Sequence, residues 1–550
     1  MSLRHIHFPL KDAGLRDDVG MLGALVGEVV EEQAGEAVLT QVESARRAAI
    51  RRRQGDPEGE EELADALAQI EDTSSFIRAY SVFFQVVNLA ERVHQIRRKR
   101  DYHHSSDAPQ PGGIEEAVKQ LAAAGIGLSD FQALLDRLSI EPVFTAHPNE
   151  STRRSILRKH LRVARMMVER LNPSLSPQET RRLLARIRGE VTTLWQTEEH
   201  PDTSRTVGDE SEHVLFYLTE ILYRIVPPFY EALEEAAGQV YGAEARQLNL
   251  PGIIRFGSWV GGDMDGNPNV TAATILDTVR IHRSAIFDLY RAELEGLYQQ
   301  LTQSGPHSSV SRELLDTIEA YERAFPDTVA HFPIRHRNMP YRRFIRLIQA
   351  KLEATLSGEG PGYHDHNALI ADLQSIAESL KRNRGRHAGL FLLERMMVRV
   401  RTFEFHLAAL DLRQDSEIHL KAVGTLLDDS QWEERPSHER ARRLIEILDG
   451  PPRPPSPAGG NTAGALAVFQ AIRRARSEIG DRTIGIYIVS MTRGMDDVLS
   501  VLALAKCAGL EIDGRIPLDV APLFETVEDL HAAPEILGSL LADTTYRAHL

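Results

Sequence analysis

The chain has 550 residues, 42% of them hydrophobic and 26% charged, which excludes a disordered or fibrous protein and predicts a soluble globular one. A net charge of −15 argues against a general nucleic-acid binder, which needs a basic field, but leaves room for an anionic small substrate held by a few local arginines. No run approaches the roughly 18 uninterrupted apolar residues of a membrane span. The start, MSLRHIHFPLKDAGLRDDVGMLG, lacks the apolar centre of a secretory signal, and the single cysteine, Cys507, cannot form an intrachain disulfide; both fit the cytoplasm.

Residues 15–100 read as helix throughout. Val19, Leu22, Leu25, Val26 and Val29 recur at three- and four-residue steps and make one helical face. SSFIRAYSVFFQVVNLAERVHQIRRKRDY forms a second, longer helix with a broad apolar face and a basic end. The segment 103–113, HHSSDAPQPGG, reads as a loop, as do 356–367 and 451–464. His103, His104, His364 and His366 fall in such loops without a partner cluster and read as solvated.

From about residue 140 the pattern changes. Five short apolar runs end in polar or glycine-rich bursts and alternate with long helical stretches: EPVFTAHP, GIIRFGSWVGGDMDGNP, HLAALDLRQDS, IGIYIVSMTRG and LDVAPLFETVEDL. Such alternation signals parallel βα units. The expected fold is α/β and predominantly helical. An N-terminal helical region (1–139) precedes a partial (β/α) barrel of the TIM type with large helical insertions (140–550). The unusual residues gather at strand C-termini, where a barrel builds its active site, although an open doubly wound sheet uses the same edge. Five strands fall short of eight, so either the expected barrel is incomplete in this chain or further strands escape the pattern. Cys507, in VLALAKCAGL, is expected to be a buried packing residue.

Four constellations carry chemistry. His147 stands at a strand tip before Pro148, with Arg153 and Arg154 on the following turn; a histidine there can move protons near neutral pH while guanidinium groups hold a phosphate or carboxylate, or else is a hydrogen-bonded structural residue. In the loop Phe256–Pro268, glycines permit close backbone approach, Asp263 and Asp265 orient arginines, and Trp259 offers an apolar wall. Arg413 can grip an anion in a forked, two-bond geometry, or else pair with its neighbours Asp411 or Asp415. Glu525 follows an apolar strand, as a magnesium or manganese ligand would, or else caps the helix that begins at Val527.

Together these strings resemble the signatures of the phosphoenolpyruvate carboxylases. VFTAHPNESTRR is similar to that family's TAHPTE motif, FGSWVGGDMDGNPNVT to FGSWMGGDRDGNP, LDLRQDS to LDIRQ and APLFET to PLFET, in family order. AYSVFFQVVNLAERVHQIRRKRDY also looks like the family's N-terminal region. Two departures are Asn149 for the usual threonine and Met264 for the usual arginine, the latter removing a charge beside the site. The family's later GYSDS motif, with its second metal carboxylate, is not found in these residues, and the chain is expected to be an N-terminal portion, inactive alone.

The resemblance implies carboxylation of phosphoenolpyruvate by bicarbonate to oxaloacetate and phosphate, feeding the tricarboxylic acid cycle in the cytoplasm, with Mg2+ or Mn2+. It makes His147 and Arg413 catalytic, places Trp259, Leu523, Arg153 and Arg154 against substrate, and lets Asp263, Asp265 and Asn149 support them. Glu525 would be a metal ligand. The expected assembly is a homo-oligomer, a tetramer, without nucleic-acid or membrane partners. The other reading is a non-catalytic relative of the same fold.

Overall fold

The computed structural model describes residues 12–105, 109–145, 152–199, 206–305, 307–451 and 460–550. The chain divides into two compact units, Met1–Leu121 with Glu150–Arg205, and Ala122–Asn149 with Thr206–Leu550.

Among the described residues the first unit is built from helices. The apolar row read from the sequence closes its core: Leu22, Leu25, Val26 and Val29 of helix Ala13–Ala34 join Val82, Val86, Leu89 and Val93 of helix Thr73–Ser105. Val163, Met166 and Met167 of helix Arg154–Glu169 and Ile187 and Val191 of helix Pro177–Trp195 complete the cluster. Each such side chain, taken fully out of water, contributes about 1.5–3 kcal/mol. One polar group is sunk among them. Asp18 is buried and accepts from Arg97 Nη2 at 2.6 Å and Arg170 Nη1 at 2.5 Å, so two cations offset the desolvation of one carboxylate.

The second unit surrounds a parallel sheet of β1 (Val143–Phe144), β2 (Gly257–Ser258), β3 (Ala409–Asp415), β4 (Ile484–Ser490) and β5 (Val520–Pro522), hydrogen-bonded in that order. Each of the five apolar runs supplies one strand. Parallel neighbours need long crossovers, and helices provide them. Alternation along β3 sends Leu410 and Leu412 into a core with Ile484, Tyr487 and Val489 of β4, Val520 of β5 and helix Met495–Cys507. Asp411 and Arg413 alternate to the other face. Cys507 is buried in that core, as expected. The architecture is thus predominantly helical α/β with a small parallel sheet. No helix among the described residues is long and apolar enough to cross a membrane.

Three element boundaries differ from the sequence reading. Helix Thr73–Ser105 continues past residue 103, and His104 lies on it, exposed, with Nδ1 2.7 Å from the Arg100 carbonyl. His366 opens helix His366–Arg382, which Asp365 caps through the Ala368 N–H. It is not a solvated loop histidine: its Nδ1 lies 3.4 Å from Glu404 Oε2, and burial holds its pKa below the ordinary histidine value against the pull of that carboxylate. In the third segment, helix Gly460–Ile479 begins inside the range read as a linker.

Candidate active site

The loop after β2 makes a tight turn. Trp259 N–H donates to Phe144 O (2.8 Å), and the N–H groups of Gly262 and Asp263 both donate to Trp259 O (2.9 Å each). Gly261 sits at φ +87°, in the left-handed region that only glycine enters without strain. At Gly262 a Cβ would lie 2.1 Å from the Asp411 carbonyl oxygen. Glycine is therefore required for the loop to lie against β3. Arg413 N–H donates to Gly262 O (3.0 Å) and Met264 N–H to Arg413 O (2.8 Å), so the backbone itself sets Asp263 beside Arg413.

Side chains from the loop after β2 and from the segment after β5 then converge on Arg413. Its Nε donates to Asp263 Oδ1 at 2.8 Å; Nη2 lies 3.7 Å from Asp265 Oδ2 and Nη1 3.5 Å from Glu525 Oε1. The guanidinium carbon stands over the Trp259 ring, 5.3 Å from its centroid. Burial works against the charge, but the three carboxylates outweigh it and raise the arginine pKa further. The structure thus brings together Trp259, Asp263, Asp265, Arg413 and Glu525. Neither Asp411 nor Asp415 pairs with Arg413: Asp415 caps helix Ser416–Leu426 by accepting from Glu417 N–H. Glu525 is not a helix cap either, because Thr526 and Asp529 form the capping box of helix Val527–Ala542. Leu523, partly buried, is fixed at the β5 exit by Leu523 N–H to Val489 O (2.9 Å).

Met264 does not face this cluster. Its side chain is buried in the apolar core with Leu410 and Leu412. Arg153 and Arg154 stand at the start of helix Arg154–Glu169, in the first unit. His147 and Asn149 lie outside the described residues.

One residue that the sequence reading treated only as a salt-bridge partner is central here. Asp411 is buried, and desolvation pushes its pKa up to about 6. Its Oδ1 accepts the Ile486 N–H at 2.9 Å. A carboxylate inside the apolar run HLAALDL was the available signal.

The described residues do not by themselves fit a divalent metal. None of their carboxylates, histidines or cysteines form a group of three that could hold one. Asp263, Asp265 and Glu525 all spend charge on Arg413.

Residues 15–550 match the family model described as phosphoenolpyruvate carboxylase. The phosphoenolpyruvate carboxylase of Xanthomonas oryzae pv. oryzae (strain MAFF 311018) is 44% identical over 99% of this chain and 60% of its own length. Those of Ralstonia nicotianae and Roseiflexus castenholzii are 35% and 34% identical, each over 97% of this chain and over 56% and 59% of their own lengths. The chain therefore spans about 60% of the length of the curated relatives it matches. With a match that runs through nearly every residue, including each loop of the Arg413 cluster, the chain belongs to the phosphoenolpyruvate carboxylase family.

Proposed function

We propose that this chain carries part of the site at which phosphoenolpyruvate is carboxylated by bicarbonate to oxaloacetate and phosphate, on a (β/α) barrel to which β1–β5 contribute. The consecutive parallel strand order supports the barrel. Arg413 carries the functional reading. Asp263 holds its Nε, whereas Nη1 and Nη2 sit 3.5 and 3.7 Å from their carboxylates, beyond ordinary hydrogen-bond length. Both terminal nitrogens keep donor capacity for a forked grip on phosphate or carboxylate.

In the proposed sequence a bicarbonate oxygen attacks phosphorus, the phosphorus–oxygen bond to the enol breaks, and carboxyphosphate and the enolate form. His147 takes the proton from carboxyphosphate, carbon dioxide and phosphate separate, and the enolate carbon bonds to carbon dioxide. Arg413 holds the phosphate charge that builds during transfer. Trp259 and Leu523 keep water from the methylene carbon, since a proton delivered there would give pyruvate. Asp263 and Asp265 aim the arginine. Arg153, Arg154 and Asn149 keep the anion-binding and supporting roles that the family resemblance implies. Mg2+ or Mn2+, with Glu525 as one ligand, belongs to the proposal at the level of the family only. So do the homo-oligomeric state, the tetramer and the cytoplasmic location.

A coupled oxaloacetate assay tests the reading, run on the chain together with the polypeptide that completes the length of its relatives. Oxaloacetate from the pair, lost with Arg413→Gln, is the expected result. Undiminished turnover in that variant would remove Arg413 from the site.

A further inference from the structure

Asp411 occupies a place prepared for a carboxylate. The pairing of β3 with β4 slips between Leu410 and Leu412, because β4 carries one residue more than β3 over that stretch. Such a bulge frees a backbone donor. Asp411 Oδ1 accepts from the Ile486 N–H in this stretch. Glycine is required on one side, where a Cβ on Gly485 of β4 would lie 2.2 Å from Oδ1; on the other side the Cβ position of Gly257 in β2 lies 3.5 Å from Oδ2, an ordinary contact distance that sets this oxygen against β2. One oxygen therefore serves β4 and the other faces β2, which leads directly into Trp259.

We propose that Asp411 is a positioning residue for Trp259: its carboxylate engages the indole N–H while the Arg413 guanidinium covers the ring face. The ring is then fixed through two different atoms of β3 side chains on the same face of the strand. This deepens the phosphoenolpyruvate reading and rests on it for what the held ring confronts, namely the substrate methylene. A role confined to the bulge accounts for Oδ1 but not for the oxygen turned towards β2.

Among the described residues, the charged groups around Asp411 are Glu141, ahead of β1, and Arg413, one pleat along β3 and engaged by Asp263, Asp265 and Glu525. β2 and β4 face it with Gly257, Gly485 and Ile486. Burial favours the neutral acid, the Ile486 N–H favours the carboxylate, Glu141 again favours the acid, and the Trp259 indole favours the carboxylate. The grip on the ring therefore tightens as Asp411 ionises near pH 6.

The test uses the whole chain with 15N-labelled tryptophan, which gives indole N–H signals from Trp195, Trp259 and Trp432. Trp259→Phe identifies its signal by loss. Between pH 4.5 and 8 the Trp259 indole signal is expected to shift with a midpoint near 6, whereas Asp411→Asn, which keeps the shape and an acceptor for Ile486, gives a flat trace. Glu141→Gln, an exposed change that removes a like charge, is expected to move the midpoint down. A Trp259 signal that does not titrate in the unsubstituted chain overturns the proposal whether or not Asp411→Asn folds. The same transition persisting in Asp411→Asn overturns it as well. A purely structural Asp411 would leave the indole signal unmoved, and that outcome would leave the substrate reading intact, because no substrate is present.

Discussion

Asp263 and Arg413 are joined twice, through the backbone and through their side chains. The hydrogen bonds Arg413 N–H to Gly262 O and Met264 N–H to Arg413 O bracket Asp263, and its Oδ1 then meets Arg413 Nε at 2.8 Å. A guanidinium aimed by a partner whose own backbone is locked to the same strand loses little entropy when it binds an anion. Under the proposed function, that makes the pair a preorganised anion grip.

Arg413→Lys should therefore weaken binding of phosphoenolpyruvate by about tenfold or more, since a charge-assisted hydrogen bond contributes about 1.5–3 kcal/mol and lysine cannot reproduce the fork. Asp263→Asn should weaken it less, because the backbone bracket remains. Isothermal calorimetry on the two variants checks the order. Equal affinity for Arg413→Lys and the unsubstituted chain would contradict the forked grip.

Gly262→Ala should be among the most destabilising single substitutions in the second unit. The new Cβ would meet the Asp411 carbonyl oxygen, which is backbone and cannot swing aside. Overpacking of this kind costs about 1–3 kcal/mol or more. Gly266→Ala is the control: it has φ +69° but open space around its Cβ position, so it should cost only about 1 kcal/mol in backbone strain. Urea denaturation of the two variants separates steric from conformational cost.

The strands and their order of use were legible because buried parallel strands leave short apolar runs that end in polar bursts. Their lengths were not: β1 and β2 have only two residues each within longer apolar runs. Arg413 was legible as a strand-end cation, and Asp263 and Asp265 as carboxylates that orient arginines, but which arginine they meet was not. Asp411 and Asp415 are nearest in sequence, yet one is turned between β2 and β4 and the other is taken by a helix N-terminus. The actual partners, Asp263 and Glu525, reach Arg413 only through the parallel pairing of distant strands, which local periodicity does not encode. The same holds for Asp18, whose cations come from residues 97 and 170.

Asp411 also sets a pH dependence of stability. Its folded pKa of about 6 stands above the ordinary 3.8, so between those values the folded state binds more protons than the unfolded one. Stability from this group is therefore greatest at low pH and falls as pH rises through about 6, by up to about 3 kcal/mol in total. Asp411→Asn should match the unsubstituted chain near pH 4 and exceed it at pH 7.5. Paired urea titrations at the two pH values check the crossover. A variant less stable at pH 7.5 would mean that the carboxylate is a net stabiliser there.

Asp18→Asn should destabilise the first unit strongly. The carboxylate is buried between Arg97 and Arg170, so neutralising it leaves two partly buried cations facing each other without a counter-charge. Breaking a buried pair in this way costs about 3–5 kcal/mol. Asp18→Leu tests the same site differently, since it removes the acceptors altogether. Thermal unfolding followed by circular dichroism should rank both below the unsubstituted chain, and an unchanged midpoint for Asp18→Asn would show that solvent already compensates the arginines.

Divalent metal should bind the second unit only weakly. Magnesium gives up its water shell reluctantly and is normally held by one or two carboxylates together with substrate oxygens. Glu525, the sequence's metal candidate, has its Oε1 3.5 Å from a guanidinium nitrogen, and a cation arriving there would compete with Arg413 for the same charge. Asp263 and Asp265 are held by that arginine as well, and no group of three ligating side chains exists among the described residues. The expected dissociation constant for Mn2+, read from the loss of its free electron paramagnetic resonance signal, is therefore above about 1 mM, weaker than multi-carboxylate sites reach. Glu525→Gln should change it little. Adding phosphoenolpyruvate should tighten it, because the phosphate both supplies oxygens and draws Arg413 away from Glu525. A site tighter than about 0.1 mM that disappears in Glu525→Gln would show instead that these carboxylates gather around the metal and release Arg413 on their own.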